Sequence, residues 1–302
     1  MSASPEGTPP RWPDGARYAV VVTVNFDAEL VITGPEPSAA TLQKTLSIFR
    51  YGGLRGAPRF LEVFADRGVH ATWFVPGAIV REYRGVLERV VAHGHGLGAR
   101  GERLERFDTL PESERLRVLR AAHASLVELA PPGSFGFRLP GGEWPPGLGA
   151  QLLDVGFTWS SSWVGDDLPF FLPAGEGRAV VEVPFAHVLD DRRAFAWNFS
   201  PPIPLGHSRI PSYEEVLESW LYELEGCRRE GLCLVLQLHP EVTGTPGRID
   251  LVRRFLDATL RDGEAWVATG AEVASWWAAA HGADQPGHPV ELLRRVSPAT
   301  LW

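Results

Sequence analysis

Short apolar runs recur along the 302 residues, each followed by a longer segment with helical periodicity. The runs at Tyr18–Phe26, His70–Val75, Gly96–Ala99, Gly136–Leu139, Thr158–Ser161, Val180–Phe185, Leu232–Leu238 and Ala265–Ala268 are expected to be strands. Helices are expected at Pro58–Arg67, Ile79–Ala92, Glu112–Glu128, Gly147–Val155, Tyr213–Glu230, Leu251–Leu260 and Ala271–Ala280. This alternation implies β–α units and a mainly parallel sheet. The run LCLVLQL has almost no polar residue, as a strand covered on both faces requires. The pattern predicts an α/β fold: a distorted, TIM-like (β/α) barrel of about seven to eight parallel strands in a single domain. A doubly wound open sheet is the alternative. Against it, NFDAEL after the first strand lacks the glycines of a dinucleotide turn, and neither a Walker-type loop nor a nucleophile elbow occurs.

Composition narrows the function classes. Net charge is −8 at pH 7, and no basic patch is interleaved with aromatics, so neither a nucleic-acid nor an anionic-membrane surface is expected. The opening MSASPEGTPPRWPDGARY is polar and proline-rich, without the apolar core of a signal peptide, which points to a cytoplasmic protein. Two cysteines, Cys227 and Cys233, are too few for a disulfide framework or a cysteine-rich zinc site. The single lysine, Lys44, lies in a polar stretch, so Schiff-base chemistry has no obvious residue to run through. Residues 1–16 are read as an N-terminal arm, 17–282 as the barrel and 283–302 as a tail packed on the barrel or on another copy in a homo-oligomer.

In a parallel barrel, chemistry sits where strands end. Those positions carry Asn25, Asp27 and Glu29 after the first strand, Arg100 after the third, and Arg138 after the fourth. Asp166 and Asp167 follow the fifth, and His239 closes the seventh. Any one of these can cap a strand; together they indicate a small-molecule site. Among 11 tryptophans, Trp73, Trp144, Trp159, Trp163 and Trp197 fall near strand ends or loops, where they can stack on a flat substrate. Trp276 and Trp277 are read as core or subunit contacts.

The segments NFDAE, HGHGLGARG, GFRLPGG, GFTWSSSWVGDDLPF, VEVPF and LQLHPEVTGTPGRI resemble, in order and spacing, the polysaccharide deacetylase (NodB-homology) family of carbohydrate esterases. The similar branch includes peptidoglycan deacetylase-like and allantoinase-like proteins. The resemblance runs from about residue 18 to residue 277 and implies a barrel that hydrolyses non-peptide C–N bonds with a divalent metal. It also implies a base and a metal-binding acid in the first motif, at Asn25 and Asp27. The two metal-binding histidines of the second motif fall on Arg100 and Leu104. An amide is no base, a guanidinium stays protonated and leucine has no donor. His93 is read as a helix-end residue and His95 as the non-ligand histidine of the family's Gly-His pair.

The resemblance therefore implies a degenerate metal site, and no metal or other cofactor is expected. Arg100 is expected to hold Asp27 in the place of a cation. Asp27, Glu29, His239 and Arg138 are the candidate catalytic residues, with His239 the proton donor and Arg138 left to bind Asp27, Glu29 or a substrate anion. Asn25, Arg100, Trp73, Trp159, Trp163 and Asp167 are candidate substrate contacts. Three functions stay open: metal-independent acid/base chemistry (cyclisation, elimination or isomerisation) in biosynthesis, hydrolysis of amide or N-acetyl bonds, and ligand binding without turnover.

Overall fold

In the computed structural model of the protein, the structure describes residues 12–133, 135–175, 177–196, 211–283, 288 and 290. The first strand, β1 (Tyr18–Asn25), is buried at all eight positions, and its run of valines suits a pleated surface packed on both sides. One edge of β1 pairs with β8 (Cys233–Leu238) along Ala19–Val24. The other edge is shared in succession by β9 (Ala265–Ala268), opposite Tyr18–Val21, and β2 (Thr72–Val75), opposite Thr23–Asn25. From β2 the sheet continues through β3 (Gly96–Ala99), β4 (Gly136–Phe137), β5 (Trp159–Ser160) and β7 (Ala179–Glu182).

These eight strands are parallel, and the curled sheet with its covering helices is a distorted (β/α) barrel. A ninth strand, β6 (Phe170–Pro173), pairs antiparallel with β7. The sequence reading has no strand there, because LPFFLP is short and flanked by prolines, which disfavour an interior strand. As the edge partner of a hairpin, β6 can carry Pro173 at its end.

The seam of the barrel lies between β7 and β8. They are linked only through a single parallel bridge, Asp190 to Gln237, among the described residues. A turn at His187–Leu189 and a short helix, Asp191–Phe195, fill the gap. The helix expected at 79–92 is two helices, Gly77–Glu82 and Arg84–Ala92, interrupted at Tyr83 (φ −113°, ψ 30°). A further helix, Gln43–Tyr51, runs into a π-helical turn at Gly52–Gly56. That turn presses its backbone on the loop after β8. A Cβ at Gly56 would lie 2.1 Å from the Pro240 carbonyl oxygen, so only glycine permits the approach.

Trp12 is 2% exposed and donates its indole N–H to the Gly231 carbonyl. Expectations for residues 1–11, for Trp197 and for most of 283–302 lie outside the described residues. No described helix is long and apolar enough to cross a membrane.

Candidate functional site

At the C-terminal ends of the strands is a cavity of about 490 Å³, within the usual size range of small-molecule sites. Its floor is built by β1, β3, β4 and β8. Asn25 ends β1, Arg100 and Arg138 follow β3 and β4, Gln237 lies on β8, and His239 follows it. Arg192 and Asp190 enter from the seam, and Trp144, Ser162 and Trp163 come from the loops after β4 and β5.

Asp27 lies beneath the cavity wall, 1% exposed. Arg100 Nε is 2.7 Å from its Oδ1, and Arg192 Nη1 is 3.6 Å from its Oδ2. Neither carboxylate oxygen accepts a well-aligned hydrogen bond, so the contact is ionic attraction in a site of low polarity. Ala28 follows with φ 46°, a left-handed conformation costly for a residue with a Cβ. This turn sends the chain from Asp27 into the helix Leu30–Thr33.

Asn25 is the hub. Its Oδ1 accepts from Arg100 Nη1 at 3.1 Å and from Arg138 Nη1 at 3.0 Å. Two guanidinium donors fix which end of the amide is oxygen, so Nδ2 faces His239 Nε2 at 3.1 Å. His239 Nε2 is therefore an acceptor, and the ring proton is on Nδ1. Nδ1–H donates to Asp191 Oδ1 at 2.6 Å. Asp191 Oδ2 takes the His239 backbone N–H and the Thr243 hydroxyl.

Burial, reinforced by Arg192, pushes the His239 imidazole down to about 4, so it is neutral near pH 7. The expectation of His239 as a proton donor changes accordingly. Its resting form is the neutral base, oriented by a buried acid.

Arg138 is 2% exposed. It donates to the Ser161 carbonyl and hydroxyl, to Thr23 and to Asn25, and it stacks on Phe74 with its guanidinium carbon 4.1 Å from the ring centre. No carboxylate lies within 4.0 Å of it among the described residues. Burial and the neighbouring Arg100 push it down to about 9.

The remaining candidates divide. Trp163 lines the cavity beside Trp144, with ring centroids 6.0 Å apart. Trp73 and Trp159, expected as substrate contacts, are core residues 0% and 2% exposed. Trp73 packs edge-on to Phe26, and Trp159 packs on Phe74 and over Gly136 and Gly270. Glu29 points away from the cavity to Arg50 (2.8 Å) and the Tyr83 hydroxyl (2.7 Å), so it ties down the loop after β1 and is not placed for catalysis. Asp167 is exposed outside this cavity and lines a neighbouring one.

The residues missed in sequence, Asp190, Asp191 and Arg192, occur in the unremarkable run LDDRRAFA. Their only signal was an acidic pair followed by two arginines beside a strand. Glu182, fully buried at the end of β7, was also missed. It accepts the backbone N–H groups of Ser162 and Trp163.

The divalent ion of the resembled family does not fit the first-strand acid. Asp27 offers unbonded oxygens, but its nearest partners are two guanidinium groups, which repel a cation. Leu104 has an apolar side chain packed on the core. A second cluster, Asp190, Asp191 and His239, brings potential ligand atoms within 4.8 Å. Its short His239–Asp191 hydrogen bond and the adjacent Arg192 account for that closeness without an ion.

Residues 44–159 match the family model for polysaccharide deacetylase. The match includes Arg100 and Arg138 but not Asn25, Asp27, Asp191 or His239. A peptidoglycan deacetylase of Helicobacter pylori is 22% identical over 72% of this chain and 82% of its own length. Among solved structures, a putative polysaccharide deacetylase from Mycobacterium smegmatis superposes with a TM-score of 0.82 at 29% identity, covering 89% of this chain and 93% of its own. An allantoinase superposes with a TM-score of 0.75 at 19% identity, covering 93% and 96%, which speaks to the fold alone. Over residues 44–159 the chain is similar to polysaccharide deacetylases, and its barrel is the fold of those structures.

Proposed function

We propose that the protein is a metal-independent acid/base enzyme acting on a small molecule, with His239 as the general base. The observation that carries the reading is the 2.6 Å hydrogen bond from His239 Nδ1–H to the buried Asp191, which leaves Nε2 as the acceptor at the cavity. His239 Nε2 takes a proton from an acidic C–H or O–H of the substrate, displacing the Asn25 amide. The imidazolium so formed is paired with Asp191. The electron pair moves onto the substrate's carbonyl oxygen, where Arg100 and Arg138 stabilise the oxyanion. Collapse of the oxyanion with return of the proton to another carbon completes an isomerisation. Collapse that breaks the bond to a β leaving group, which departs with the bonding pair and takes the proton, completes an elimination.

A second reading is supported by the named relatives. The same base and guanidinium pair can activate water for hydrolysis of an amide or N-acetyl bond. The test is deuterium uptake from D2O by a panel of small carbonyl compounds, followed by NMR in the presence of a chelator. Uptake catalysed by the wild type and lost in His239→Gln supports proton abstraction. Release of acetate from N-acetyl sugars that requires added zinc overturns the metal-independent reading.

A further inference from the structure

We propose that the substrate is a small organic anion, a carboxylate or similarly acidic oxygen acid on a flat apolar body, and that its negative charge is the missing counter-ion of Arg138. The inference rests on the preceding reading in taking this cavity as the substrate site.

It starts from the partners of the three less exposed of the four guanidinium groups at the cavity, the fourth being the exposed Arg193. Arg192 is matched by Glu241 and by Asp27, and Arg100 by Asp27. Arg138 contacts neutral oxygens and the faces of Phe74 and Phe185, and the acids that act on it, Glu182 first, then Asp190 and Asp27, lie beyond 4.0 Å. A guanidinium 2% exposed with no carboxylate in contact is a costly arrangement that an anion in contact would relieve. The point where an internal counter-ion would sit is occupied by Asn25 Oδ1, a neutral oxygen bridging Arg138 and Arg100 at 3.0 and 3.1 Å. One atom, carboxylate oxygen to amide nitrogen, separates this arrangement from one neutralised within the protein.

The charges are also sorted by depth. Arg100, Arg138 and Asn25 form the floor, and their acidic partners Asp27 and Glu241 are behind the cavity wall and do not line it. The acids that do line it are at the rim. Glu143 is exposed, and Asp190 is occupied by the Arg192 backbone N–H and by Arg193 at 4.0 Å. An entering anion is thus drawn to the floor. Arg100 has three N–H bonds beyond those used for Asp27 and Asn25 with which to receive it, and Arg138 one. The tilted pair Trp144 and Trp163 lines the same cavity, at 56° between ring planes, and offers a flat body an aromatic wall. Bound there, an acid's charge lies next to His239, which is positioned to remove a proton from the adjoining carbon.

The test is equilibrium binding, independent of turnover. Sodium benzoate and neutral benzamide, at equal ionic strength, are titrated into the wild type, Asn25→Asp and His239→Gln, with melting temperature and calorimetry as readouts. Benzoate is expected to bind the wild type at least tenfold more tightly than benzamide and to raise its Tm. Asn25→Asp supplies the counter-ion internally: it is expected to melt higher than the wild type without ligand and to lose the preference for benzoate. His239→Gln is expected to retain that preference even where proton transfer is lost, so failure of the base assignment and failure of the anion site are told apart. Equal affinity of the wild type for the two probes, no response to either, or an unchanged benzoate preference in Asn25→Asp overturns the proposal.

Discussion

At the end of the barrel where the strands begin, Trp12 packs against Trp266, Trp276 and Trp277, with ring centroids 6.1, 4.9 and 6.1 Å away. At the end where the strands finish, three guanidinium groups, four buried acids (Asp27, Glu182, Asp191 and Glu241) and an imidazole share a space largely closed to water. The first end gains stability from burying apolar area and meets its polar needs locally, as in the Trp12 N–H bond to Gly231. The second end loses stability through desolvation of charge, and the loss is offset only in part by pairing. A barrel closed firmly at one end can sustain a strained, polar arrangement at the other. Substitutions at the two ends should therefore have opposite signatures.

The largest contrast is expected between His239→Gln and Trp277→Ala. Loss of the base is expected to reduce turnover by about 10²- to 10⁴-fold while the melting transition moves little. Trp277 is 4% exposed, and its truncation is expected to cost about 3–5 kcal/mol in denaturant unfolding, with turnover per folded molecule retained. Asp191→Asn is expected to act like His239→Gln, since it removes the partner that fixes the Nδ1–H tautomer. The rate of the wild type is expected to fall as pH drops through about 4, where His239 takes up a proton, well below an unperturbed histidine. Burial pushes the partner Asp191 up to about 7, so a limb near that pH belongs to Asp191. A limb near about 6.5 that persists in Asp191→Asn would show that His239 is solvated and break the contrast.

Next in size are the ion pairs. Arg100→Met leaves Asp27 buried with Arg192 as its remaining partner at 3.6 Å, and is expected to cost about 3–5 kcal/mol. Combining it with Asp27→Asn should recover a large part of that loss, because the uncompensated charge is gone. The coupling is read from a double-mutant cycle. The same cycle on Arg67–Asp257, equally short at 2.8 Å but with Asp257 58% exposed, is expected to give about 1 kcal/mol or less. Equal couplings at the two pairs would mean that water reaches Asp27 and that the rim is less costly than its burial implies.

The contrast also explains what was legible in the sequence. The barrel itself was readable because strands such as β1 and β8 are long and apolar, and their periodicity is set by burial. Asn25, Arg100, Arg138 and His239 were readable because polar residues at strand ends are conspicuous against apolar runs. The partner of Asp27 could be named because the family resemblance put Arg100 at the position of a metal ligand. Asp191 was not readable. It belongs to a five-residue helix in the seam between β7 and β8, and no periodicity links that segment to His239, 48 residues later. Trp73 and Trp159 were misplaced for a related reason: position at a strand end does not reveal which face a side chain takes. They take opposite faces: Trp73 packs on Phe26 and His95, and Trp159 turns to the face of Phe74, where glycines at 136 and 270 leave room for its ring.

The smallest effect is expected at Glu182, where the two ends of the contrast meet in one residue. Its carboxylate accepts the Ser162 and Trp163 N–H groups and so holds a wall of the cavity, yet burial pushes it up to about 7. Its folded value lies above its ordinary 4.5, so its contribution to stability is fully present below that value and is lost as pH rises through about 7. Glutamine keeps the oxygen that accepts both N–H groups but removes the charge. Glu182→Gln is therefore expected to match the wild type near about pH 4 and to melt progressively higher than it as pH is raised to about 8. His239 and His95, both held down to about 4 by burial, contribute the opposite slope, but equally in the two proteins, so they cancel from the difference. Benzoate binding should be retained or tighten, because the substitution removes an acid that acts on Arg138. A difference in melting temperature that is flat with pH would place Glu182 in contact with solvent and assign the holding of that loop to its backbone hydrogen bonds alone.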